Sequence, residues 1–171
     1  MKFYIKDFCY IQSEQEIDVS FVPPLIRRKL STLDRAALST MAKVFNRNVE
    51  EIVFSSQYGE FTRLDTLIEQ YQGAGEVSPA QFSASVHNYP AGFFTLINKL
   101  NIPYYALSAG ENSFTAGLIK SVISEKETMY TFADIYSGVK SISVLISPAK
   151  GKEVNTEIKS FKDFVEILAK L

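Results

Sequence analysis

The residues best placed to do chemistry are Ser108-Ala109-Gly110-Glu111-Asn112-Ser113. They follow a short strand-favouring run, Tyr104 to Leu107, and lead into a helix predicted to end near Ile123. The turn therefore falls at the carboxyl end of a strand, where α/β folds place their ligands. A strand, a sharp small-residue turn and a helix start often expose a nucleophile, because the helix N-terminus stabilises a thiolate or an oxyanion. Neither cysteine nor histidine occupies this turn. Glu111 stands where the nucleophile is expected, flanked by Ser108 and Ser113. It reads either as a first-turn carboxylate favoured by the helix dipole or as a catalytic carboxylate. The single histidine, His87, lies beside the start of the preceding helix, and no spacing ties it to a serine or an acid. It reads as a structural residue, or as a base assembled with Glu111, Ser108 or Ser113.

The elements that position the turn follow from periodicity and turn signals. Lys2 to Ile11 is a β-prone run with irregular alternation, predicted to be buried on both faces. Gln12 to Val22 reads as a loop, and Pro23-Pro24 as the approach to a helix that Ser31 or Thr32 with Asp34 can restart as a cap. Leu33 to Phe45 carries one apolar helical stripe. Glu51 to Ser56 is a strand, and Gln57-Tyr58-Gly59-Glu60 turns into a helix ended by Gly73-Ala74-Gly75. Ser78-Pro79 signals another helix start. Asn88, two residues ahead of Pro90, caps a helix predicted over Asn88 to Leu100, which Asn101-Ile102-Pro103 stops. Thr128 to Ile135 and Ser141 to Ser147 are strands joined too tightly for a helical crossover, hence antiparallel. Pro148 to Thr156 reads as a polar loop and Ile158 to Leu171 as an amphipathic helix. This order predicts a single α/β domain over 1–171: a five-stranded mixed sheet with helices on both faces.

Composition narrows the function classes. The 171 residues are 46% hydrophobic, a globular composition large enough for a core without staples. Eighteen basic and nineteen acidic residues give a net charge of −1, which removes the electrostatic basis for nucleic-acid binding. The lone Cys9 excludes an internal disulfide and a cysteine metal cluster, and reads as a small buried hydrophobe. No phosphate-loop or dinucleotide pattern occurs, so no cofactor is expected. No run reaches the roughly 20 apolar residues of a membrane span. Charges inside the N-terminal run mark it as a strand and not a signal peptide, so a cytoplasmic protein is expected. Arg27, Arg28, Lys29 and Arg35 cluster at a helix start, where the dipole disfavours cations. They read as a solvated basic patch or as a surface for an anionic partner.

The central stretch resembles the N-terminal half of the β-ketoacyl synthases, of thiolase-like fold. Ser78-Pro79 resembles that family's Ser-Pro, and Val86-His87-Asn88-Tyr89-Pro90-Ala91-Gly92 its Val-Asn-Met-x-Ala-Gly segment. Ile102-Pro103 is similar to the Gly-Pro before the nucleophile strand, and Ser108 to Ser113 to the Thr-Ala-Cys-Ser-Ser segment. Counting from Pro103, the family's cysteine falls on Glu111; aligned on Ser108-Ala109, it falls on Gly110. Neither is a thiol, and the sequence ends before the region that holds the family's two catalytic histidines. Arg27 to Leu30, Leu33 to Arg35 and Phe54 to Glu60 further resemble the short chain-length-factor-like members. The resemblance implies a half thiolase-like fold in a catalytically silent subunit of a fatty acid, polyketide or aryl polyene type pathway. Such a subunit pairs with a ketosynthase or with itself. It further implies interface or tunnel roles for Asn88, Phe93, Phe94, Tyr104 and Tyr105, and docking of an acyl carrier protein on Arg27, Arg28, Lys29 and Arg35. An enzyme acting on acyl thioesters through Glu111 and His87, or a carrier-docking scaffold, is the alternative.

Overall fold

A computed structural model of the protein describes residues 2–171. Six strands form one mixed sheet: β1 (Lys2–Ile11), β2 (Glu51–Ser55), β3 (Tyr104–Leu107), β4 (Thr128–Asp134), β5 (Lys140–Ser147) and β6 (Lys152–Asn155). Their order is β3-β2-β4-β5-β1-β6. β2 pairs in parallel with both β3 and β4, while β4 with β5, β5 with β1 and β1 with β6 are antiparallel. The expected β4–β5 hairpin is therefore present, but the sheet has six strands and not five. The additional strand, Lys-Glu-Val-Asn, buries only Val154 and carries no period of its own, so it reads as loop until β1 supplies its hydrogen-bond partners.

Helices cover both faces. Labelled in chain order, they are α1 (Pro24–Arg27), α2 (Thr32–Val44), α3 (Phe61–Ala74), α4 (Pro79–Ser83), α5 (Tyr89–Ile97), α6 (Ser113–Ile123) and α7 (Phe161–Leu168). On one face, Leu33, Leu38 and Met41 of α2 and Phe94 of α5 pack on Ile52, Phe54, Met129 and Leu145. On the other, Phe114 and Leu118 of α6 and Phe164 of α7 pack on Val53, Tyr130 and Ile142. Each such fully buried side chain contributes roughly 2 kcal/mol by removal from water. β2 and β4 are buried throughout, as central strands between two helical layers must be. A bulge between Ile5 and Asp7 explains the irregular first strand. The extra residue, Lys6, shifts the parity so that Phe8 joins Phe3 and Ile5 on the α7 face, while Cys9 reaches the opposite core.

Two helix ends bear on the site. Ser31 and Asp34 form a reciprocal capping box on α2, Ser31 Oγ accepting from Asp34 N and Asp34 Oδ2 from Ser31 N, both at 3.0 Å. α5 is shorter than predicted. Asn88 makes no side-chain cap, and at the far end Asn98 Nδ2 donates back to Phe94 O at 3.0 Å while Lys99 turns to φ +54°. Phe93 and Phe94, expected at an interface or tunnel, are instead covered by this chain itself, Phe94 being 1% exposed and Phe93 buried in the core shared with α2.

Candidate functional site

The turn after β3 is a sharp elbow. Gly110 takes φ +56°, a conformation that a residue with a Cβ enters at a cost of about 1–2 kcal/mol. Buried Ser113 is used up by the turn, its Oγ donating to Gly110 O at 2.6 Å and accepting from Ala109 N at 2.9 Å. Ser108 Oγ donates to Gln57 O at 3.3 Å. Residues Ser108 to Glu111 are all exposed. Gly110 holds the strained apex at which an elbow presents its nucleophile, and Glu111 follows it.

Glu111 and His87 are not brought together. Glu111 lines a cavity of about 180 Å³ with Tyr58, Asp134, Lys140 and Lys159, and His87 lies outside that lining. The His87 imidazole instead donates from Nε2 to Leu107 O at 3.0 Å and leans on the Phe54 ring. Its Nδ1 faces Gly59, where φ is +55° and a Cβ would come within 2.6 Å. His87 thus pins the end of β3 to the turn after β2. Asp134 holds the same turn by accepting from Ser56 Oγ at 2.6 Å, Gln57 N at 3.0 Å and Tyr58 N at 3.2 Å.

Behind this turn lies an ionic cluster that the sequence reading did not single out. Arg63 donates from Nη2 to Asp34 Oδ2 at 2.9 Å and from Nε to Glu60 Oε2 at 3.2 Å, and Ser31 Oγ donates to Glu60 Oε1 at 2.6 Å. Asp34 is 0% and Glu60 6% exposed. Burial pushes the Glu60 carboxyl up to about 7, the adjacent Asp34 charge adding to it, and burial likewise raises Asp34 against the pull of Arg63. Asp34 Oδ1 is buried without a donor, a shortage that a proton on the facing Glu60 carboxyl relieves. Two carboxyls and one guanidinium in a dry site favour keeping one proton. The signal in the sequence was the Ser-x-x-Asp box, which announces a cap and says nothing of Glu60 or Arg63.

The basic cluster divides. Arg27 donates to Ser20 O and Val22 O, and Arg35 to Arg27 O, so both are tied to backbone. Arg28 and Lys29 remain exposed.

β3 is an edge strand. Of the five residues expected at an interface or tunnel, Phe93 and Phe94 point into this chain's core, while Asn88, Tyr104 and Tyr105 are exposed. Tyr104 lies over Gly92 of α5, the helix that also carries Leu96, which is 73% exposed. Tyr105 lies beneath Lys120 of α6, at 4.2 Å from the ring centre, and the same helix carries exposed Ile119 and Ile123. An open hydrogen-bonding edge is thus rimmed on both sides by apolar side chains. Among the described residues no helix is long and apolar enough to cross a membrane.

A mixed sheet between two helical layers, with a small-residue elbow at the end of an edge strand, is the half thiolase-like fold. The chain belongs to the β-ketoacyl synthase N-terminal domain family, whose profile matches residues 6–131. No curated protein matches the sequence. Among solved structures it is similar to a chain in the complex of the ketosynthase ApeO with its chain length factor ApeC from Xenorhabdus doucetiae. The TM-score is 0.75 at 20% identity, over 88% of this chain and 81% of that one. It is also similar to a chain of the ishigamide ketosynthase/chain length factor, with a TM-score of 0.65 at 12% identity, over 85% of this chain and 62% of that one.

Proposed function

We propose that this chain is a ketosynthase-like subunit of the chain-length-factor type, which pairs with a ketosynthase and leaves the condensing chemistry to it. The observation that carries this reading is the β3 edge, unpaired among the described residues, with exposed Tyr104 and Tyr105 on the strand and exposed Leu96, Ile119 and Ile123 on the two helices, α5 and α6, that pack against it. A bare strand edge with apolar borders is unfavourable in water and complementary to another such edge. The neighbouring elbow supports the division of labour: it offers glycine and an exposed glutamate where a condensing enzyme needs a thiolate. Both solved relatives named above come from ketosynthase and chain length factor assemblies, which favours a ketosynthase over a second copy as the partner. A pathway making polyketide or aryl polyene chains is the setting this reading implies.

The test is the solution mass of the chain alone and mixed with any ketosynthase encoded beside it, for the native protein and for Leu96→Asp and Tyr105→Asp. A mixed complex that either charge abolishes, with each variant still folded by circular dichroism, is the expected result. Monomers in every mixture would overturn the reading.

A further inference from the structure

A cavity of about 650 Å³ opens where the segment after α1 meets α3 and α4, and β3 contributes nothing to it. Its size suits a small organic molecule and greatly exceeds an inorganic ion. Arg28, Lys29 and Arg63 reach its wall, and among the described residues lining it there is no carboxylate. Neither Arg28 nor Lys29 has an ion-pair partner among the described residues. Arg63 is held from behind by Asp34 and Glu60, and its Nη1 donates to Ala84 O at 2.6 Å, which leaves one Nη1 hydrogen free. Ser78 precedes α4 without capping it, so its hydroxyl is free to donate, as are the Gln81 amide and the Tyr89 phenol that share the wall. Each free polar side chain offers a donor, three of them on cations, and together they surround space bordered by the methyl groups of Ala80 and Ala84 and the Tyr89 ring.

The geometry points to a binding site for an organic phosphate, the phosphoryl group held by Arg28, Lys29 and Arg63 and the organic body lying against Ala80, Ala84 and Tyr89. A dianion with three acceptor oxygens uses such a donor set more fully than a carboxylate can. The assignment does not rest on the pairing proposed above, since no residue of this wall belongs to the β3 rim.

Phenyl phosphate is the probe, titrated into the isotope-labelled full-length chain and followed by backbone amide shifts, with benzoate and phenol as comparisons. The expected result is saturating shifts at Arg28, Lys29, Ser78, Gln81 and Ala84. In Arg28→Ala/Lys29→Ala, which alters only exposed side chains, affinity falls at least about tenfold with an unchanged thermal midpoint. Benzoate binds at least about tenfold more weakly, and phenol more weakly still. Absence of saturating shifts, equal affinity in the double variant, or equal binding of benzoate overturns the assignment. So does a response at these residues to an acidic protein alone.

Discussion

Replacing Glu60 by glutamine tests the buried cluster that joins α2 to α3. The side chain is 6% exposed, and its carboxyl is raised from 4.5 to about 7 by burial and by Asp34. An acid whose folded pKa exceeds its unfolded value binds more protons folded than unfolded, so stability falls as pH rises between the two values. The contribution is fully present below about pH 4.5 and is gone once pH passes about 7. A shift of this size corresponds to roughly 3 kcal/mol. Glu60→Gln cannot ionise and removes that slope. Its single oxygen can serve Ser31 or Arg63 but not both, an offset of about 1 kcal/mol that does not depend on pH. The readout is therefore the change in the difference between the two proteins. Urea unfolding at pH 5 and pH 8 should show the variant gaining roughly 3 kcal/mol relative to the native chain, or about 1–2 M in midpoint. Asp34 is raised in the same direction, so its titration also lowers the stability of the native chain as pH rises. Parallel pH profiles for the two proteins would refute the shared-proton account.

Two further outcomes follow from the elbow and its support. Gly59→Ala should lower stability by about 2 kcal/mol or more, from the left-handed φ and from the clash with His87 Nδ1. Adding His87→Ala should relieve part of that loss in a double-mutant cycle by denaturant unfolding, and strict additivity would show that the contact does not matter. Glu111→Ala should leave stability within about 0.5 kcal/mol, as for an exposed residue, and leave unchanged the condensing activity of the complex proposed above. A drop in turnover beyond about tenfold, with the complex intact, would give Glu111 a catalytic role.

Much of this architecture is written locally. The stripe from Leu33 to Val44, the short β4–β5 connection, the strand before the elbow and the helix after it each carry their own period or turn chemistry, and each is found where those signals place it. The absence of a thiol at Gly110 and Glu111 is equally a property of the sequence alone, and with it the expectation of a subunit that does not condense. Other features depend on residues far apart along the chain. Lys152 to Asn155 becomes a strand because β1 offers an edge, and Phe93 and Phe94 are core because α2 covers them. Arg27 and Arg35 turn inward onto backbone carbonyls, whereas Arg28 and Lys29 remain free to line a cavity. Glu60 looks like any turn glutamate until Asp34 and Arg63, each supplied by a different helix, enclose it. The sequence by itself determined most of the elements and the missing nucleophile, because periodicity and residue chemistry are local. Which faces stay open, which charges are spent and which acid keeps its proton were decided by the tertiary structure, because burial and desolvation depend on neighbours that only folding brings into contact.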